Sequence, residues 1–151
     1  MIRKSLLLRI FDSAYMQRWN DKIRPLELVE LDKQGHKMII AYVLGKYEEK
    51  KSDFDWIEII EGGIFELLQR IVITDLKPTL LYEFKKDEDK YRKLNQWVFK
   101  ELEPVISPLG DDFSERFRAY FKDSDNTLNK RILSGAHFYA TRWEFDIIKQ
   151  L

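Results

Sequence analysis

The stretch Trp56-Ile57-Glu58-Ile59-Ile60-Glu61-Gly62-Gly63-Ile64-Phe65-Glu66-Leu67-Leu68-Gln69-Arg70-Ile71-Val72 sets the architecture of this chain. Trp56, Ile60, Ile64, Leu67, Leu68 and Ile71 recur at spacings of three and four, which gives a helix with one apolar stripe. Two glycines interrupt it, at roughly 1 kcal/mol each relative to alanine in a helix. That cost points to a close approach against the backbone near Glu66. Glu66 itself is an acid in a mostly apolar run, and a desolvated carboxylate needs a partner. Arg70, one turn later in the favourable order, is the simplest one.

The same period extends in both directions. Leu6, Leu7, Ile10, Phe11 and Ala14 form one face of a first helix. Arg18 to Pro25 reads as a loop, because Pro25 disfavours helix at Arg24. A second helix is expected from about Glu27 to Glu49, with His36, Ile39, Ile40, Val43, Leu44 and Tyr47 as its buried stripe. Ser52 or Asp53 is the expected cap of the third helix. Beyond it, Thr74 to Pro78 is a turn, 79–84 a short helical turn, and Asp87–Val105 a surface helix. Pro104 and Pro108 bracket a break. Phe113, Phe117, Tyr120 and Phe121 mark another helix, and Leu128, Ile132, Leu133, Ala136, Ala140, Trp143 and Ile147 the last. The expected fold is all-α, with five to seven helices in a single domain over residues 1–151.

Composition narrows the function classes. Lys plus Arg and Asp plus Glu are 26 each, so no net field favours nucleic acid or an anionic membrane. The chain has no cysteine, which excludes disulfides and thiolate chemistry and fits a reducing compartment. No apolar run approaches the roughly 20 residues that span a bilayer, and the N-terminus lacks a signal-peptide pattern. The expectation is a cytoplasmic protein without a membrane partner. Aromatics reach 14%, and Trp97, Phe99, Phe117 and Tyr120 are many for one small core, so a homodimer is a further expectation.

The chain has two histidines, His36 and His137, both in helical runs. With Glu66 they make three ligand-type side chains on three helices. Two imidazoles and one carboxylate suit a divalent zinc, manganese, cobalt or iron ion with positions left open for water. The alternative is three unrelated structural residues, with His36 a core histidine and Glu66 paired with Arg70.

The order Arg18-Trp19, His36, Glu66 followed by Thr74-Asp75-Leu76, and then His137 resembles the HD superfamily of metal-dependent phosphohydrolases, in particular its bacterial 5′-deoxynucleotidase-like branch. The resemblance covers roughly Arg9 to Glu144. It implies an HD-domain-like helical bundle with a metal held by His36, Glu66 and His137. It also implies a small phosphorylated molecule, such as a nucleoside monophosphate, bound near Arg18, Trp19 and Gln69. Arg70 and Asp75 would then be the catalytic candidates, Arg70 with Arg18 balancing phosphoryl charge, and the base being Asp75 or a metal hydroxide. The chain departs from the family where it matters. Glu66-Leu67 stands in place of the His-Asp pair, His137 in place of the late Asp, and Arg70 in place of an acid. Two readings therefore stand side by side: a phosphohydrolase with an altered ligand set, and a catalytically inactive HD-like domain that binds a ligand or a partner protein. For Arg18, Trp19 and Asp75 the bland roles are a surface ion pair, a plug at the end of the bundle and a turn cap.

Overall fold

A computed structural model of the protein describes residues 2–74, 76–122 and 126–149. Seven α-helices lie among them: α1 (Ile2–Asp12), α2 (Glu30–Glu48), α3 (Trp56–Val72), α4 (Pro78–Lys86), α5 (Glu88–Ile106), α6 (Asp111–Lys122) and α7 (Leu128–Lys149). The only extended pairing among the described residues is an isolated antiparallel bridge between Gln17 and Val29. None of the described helices is long and apolar enough to cross a membrane.

The helix starts follow from local chemistry. The Asp55 carboxylate accepts from the Ile57 N–H at 2.7 Å, and the Asp87 carboxylate from the Lys90 N–H at 3.1 Å. The Thr127 hydroxyl accepts from the Lys130 N–H at 3.2 Å. Each satisfies one of the orphan donors of a first turn. The cap of α3 is thus Asp55 rather than Ser52 or Asp53. Pro104 does not break the chain either: it lies inside α5, and the helix continues to Ile106 before a 3-10 turn at Ser107–Leu109.

The chain packs as two compact units. One comprises Met1–Ile10 and Phe65–Ser124, the other Phe11–Ile64 and Asp125–Leu151. In the first, Phe65 meets Phe113 and Phe117 edge-on, both at 5.3 Å between ring centroids, and Tyr120 at 5.7 Å. Phe117, Val98, Leu102 and Ile106 are buried with it, whereas Trp97 stays 47% exposed.

In the second unit α2 and α7 pack antiparallel. His36 lies against Trp143, and Leu44 approaches Gly135. Ile132, Leu133, Ala136 and Ala140 of α7 are buried, as the period of three and four requires. Asn129 secures the entry to α3. Its side-chain oxygen accepts from the Asp55 N–H at 3.1 Å, and its amide nitrogen donates to the Glu58 carboxylate at 2.7 Å.

α2 departs from the expected stripe. Its buried residues are Glu30, Lys33, Lys37, Ala41 and Gly45, whereas Ile39 is 66%, Val43 50% and Tyr47 83% exposed. His36 is exposed as well. Small residues explain part of this rotation. Gly45 receives the Trp56 ring, and Gly63 of α3 receives Met38 and Gln34 of α2. Gln34 also donates to the Gly63 carbonyl at 2.9 Å. Gly63 thus meets the close approach expected of the glycine pair. Its neighbours are side chains of α2.

A Cβ at position 45 would lie 2.5 Å from Cη2 and 2.7 Å from Cζ3 of Trp56. Overpacking of this kind costs about 1–3 kcal/mol, against a helix-propensity gain of up to about 1 kcal/mol. Gly45→Ala is therefore expected to lower the melting temperature in a thermal scan. An unchanged or raised midpoint would mean that the indole moves aside freely.

Candidate functional site

Among the described residues, the buried charged side chains Glu30, Lys33, Lys37 and Glu144 all lie in the Phe11–Ile64 and Asp125–Leu151 unit. The loop after α1 is tied back onto the start of α2. The Arg18 N–H donates to the Leu28 carbonyl at 2.7 Å, and the Glu30 N–H to the Met16 carbonyl at 2.9 Å. The Arg24 guanidinium donates to the Arg18 carbonyl at 3.1 Å. These bonds hold Arg18 between two acids. Its Nη1 donates to Glu30 Oε1 at 2.8 Å. Its Nε and Nη2 each lie 2.9 Å from Glu144 Oε2.

Trp19 follows at φ 57°, the one described non-glycine residue in the left-handed region. For a bulky side chain this costs on the order of 1–3 kcal/mol. The strained backbone aims the indole N–H at Glu144 Oε2, 2.9 Å away. The carboxylate is thereby saturated, and its side chain is 2% exposed. Burial of an acid requires such pairing.

Two lysines extend the cluster along the inner face of α2. Lys33 Nζ lies 3.2 Å from His137 Nδ1 and 3.4 Å from Nε2, facing the ring edge between them. Lys37, one turn on, is 2% exposed. Burial pushes the Lys33 ammonium down to about 7. The Arg18 and Lys37 charges add to this, against the opposing pull of Glu30 and Glu144. Lys33 thus exchanges a proton near neutrality, inside a cluster of fixed charges.

The residues singled out in the sequence fall as follows. Arg18 and Trp19 share Glu144. His36 is exposed and packs edge-on against Trp143, with centroids 4.8 Å apart. His137 is held at Lys33, on a different flank of α7 from Trp143. In the other unit, Tyr120 donates to the Glu66 carboxylate at 2.5 Å. The phenol pKa is pushed far upward by burial and by that carboxylate. Gln69 is buried and donates to Asn95 Oδ1 at 2.6 Å. Arg70 donates to the Leu76 carbonyl at 3.3 Å, closing the end of α3. Asp75 lies outside the described residues.

Among the described residues no group of three or more His, Asp or Glu side chains is placed to share a metal ion. His36, Glu66 and His137 each have a different neighbour: an indole, a phenol and an amine. As a donor set for one ion they do not fit, and no chemical step through a metal is derived from them.

Glu30, Lys33, Lys37 and Glu144 were not visible as a site in the sequence. One signal was present. Glu144 continues the Ala136, Ala140 series at a spacing of four, which places it on the buried face of α7. Lys33, Lys37, Ala41 and Gly45 form a similar series, masked by the more apolar face beside it.

Ile39 and Ile40 of α2 and Ala140 of α7 join His36 and Trp143 around an open groove of about 330 Å³. It lies on the solvent side of the helix pair. No family model, curated protein or solved structure matches the chain.

Proposed function

We propose that the chain is a non-catalytic, HD-like interaction module that docks a protein through the exposed face of α2 and α7. The observation that carries this reading is the rotation of α2. Its charged residues Glu30, Lys33 and Lys37 are buried, while Ile39, Val43 and Tyr47 face solvent. Contiguous exposed apolar area of this kind marks an interaction surface. Tyr139, 57% exposed, and Trp143, 48% exposed, widen the patch on α7.

The state of Arg18 supports the same reading. A phosphate ester would have to displace two buried carboxylates from the guanidinium, and that exchange is unfavourable for a site built to turn over substrate.

The test is a charge placed on the face. Val43→Glu is expected to leave the helical circular dichroism intact and, compared with the parent at concentrations where chains are dissociated, the unfolding free energy within about 0.5 kcal/mol, as at other surface positions. A loss of several kcal/mol would put Val43 in a core and remove the docking face. A parallel screen of nucleoside monophosphates with manganese, cobalt or zinc is expected to release no phosphate. Turnover that disappears on changing His36, Glu66 or His137 would instead establish the phosphohydrolase.

A further inference from the structure

The α2–α7 pair has the form of half a four-helix bundle, two antiparallel helices with exposed apolar side chains along one outer side. Ile39, Val43 and Tyr47 recur at spacings of four along α2, and Tyr139 and Trp143 do so along α7. At the exposures of these five side chains, 66%, 50%, 83%, 57% and 48%, the patch offers on the order of 700 Å². A standard interface buries about 800 Å² on each side.

The charges along α2 name the occupant. Asp32 lies in the first turn and Lys46 in the last, both exposed and both on the same side of the helix as Ile39. They are equally far from Ile39 in opposite directions, seven residues each way, or about two turns. A two-fold axis at Ile39 that crosses two α2 helices antiparallel therefore brings Asp32 to the partner's Lys46, and Lys46 to the partner's Asp32. The same axis sets Gly35 opposite the partner's Val43. A Cβ at Gly35 would meet nothing within 4 Å, so that position has room for a valine. Such a surface is complementary to itself, as an isologous contact requires.

We propose that the docking partner is a second copy of this chain, joined through α2 and α7 about a two-fold axis at Ile39. This rests on the docking reading above and adds its occupant and geometry. Lys46 also holds Glu49 at 2.6 Å within the chain, so the intermolecular pair shares that ammonium.

Sedimentation velocity on the full chain over a wide concentration range tests the proposal. The parent protein is expected to be a dimer. D32K and K46D each place like charges together twice per dimer and are expected to weaken association about tenfold or more. The double variant D32K/K46D restores both pairs with reversed sign and is expected to return to within about threefold of the parent. Its helix ends are worse matched to the α2 dipole than in either single variant, so better folding cannot explain such a recovery. A parent that stays monomeric throughout, or a double variant as weak as the single ones, overturns the proposal. A monomeric parent with a folded Val43→Glu variant would remove the second copy but leave the docking face, whereas a monomeric parent with an unfolded Val43→Glu variant would remove both.

Discussion

Arg18→Met is expected to destabilise the protein by about 3–5 kcal/mol. The guanidinium neutralises Glu30 and Glu144, whose side chains are 6% and 2% exposed. Methionine keeps the apolar stem and removes the charge, so Glu30 and Glu144 lose the guanidinium they share. The indole N–H of Trp19 still reaches Glu144, but one neutral donor does not replace a bidentate fork. Arg18→Lys is expected to fall between parent and methionine, because an ammonium cannot reproduce the fork. Urea unfolding at pH 7 reads both losses. A loss below about 1 kcal/mol at pH 7 would mean that water screens the cluster as it screens a surface pair.

Lys33 sets the second large effect, of the opposite sign. Its folded pKa is about 7 against 10.5 for an unburied lysine. Between these values the unfolded chain holds a proton that the native one has released, so stability rises with pH across that window. Below about 7 both states are protonated, and the native state bears the full cost of the buried charge. The expected gain from pH 7 to pH 10 is about 2–4 kcal/mol, since each unit of differential protonation is worth about 1.4 kcal/mol. Lys33→Met removes the buried amine. It is expected to raise stability at pH 7 and to flatten the rise, so the difference between variant and parent isolates this group from other titrations. A constant difference between the two proteins from pH 7 to 10 would place the Lys33 ammonium in contact with water.

The two effects share one cause. Hydrophobic pattern placed a contiguous apolar stripe on α2 and assigned it to the core. The folded unit buries the adjacent face instead, where Ala41 and Gly45 let neighbouring elements approach and where Glu30 meets Arg18. For α7 the pattern held as far as Ala140, with Leu128, Ile132, Leu133, Ala136 and Ala140 inside, whereas Trp143 is 48% exposed. The difference lies in contrast. α7 sets Ile132, Leu133, Ala136 and Ala140 on one narrow stripe, with Phe138, Tyr139 and Trp143 left exposed beside it. α2 carries apolar or small residues around most of its circumference, so the period alone leaves its rotation open. The candidate ligands show the same limit. Spacing along a chain places His36 and His137 on helices, but their neighbours, Trp143 and Lys33, come from elements about a hundred residues away.

The sequence by itself determined an all-α chain of five to seven helices, most of their bounds within a few residues, and that the chain carries no thiol. These are local properties: a period of three to four, a capping side chain, a proline. Tertiary structure alone decided which face of α2 turns inward, that Arg18 is held by Glu30 and Glu144, and that Ile39, Val43 and Tyr47 remain outside. Those outcomes depend on which distant groups neutralise each other at close range. A one-dimensional pattern records the polarity of each residue and carries no information about its partner across the fold.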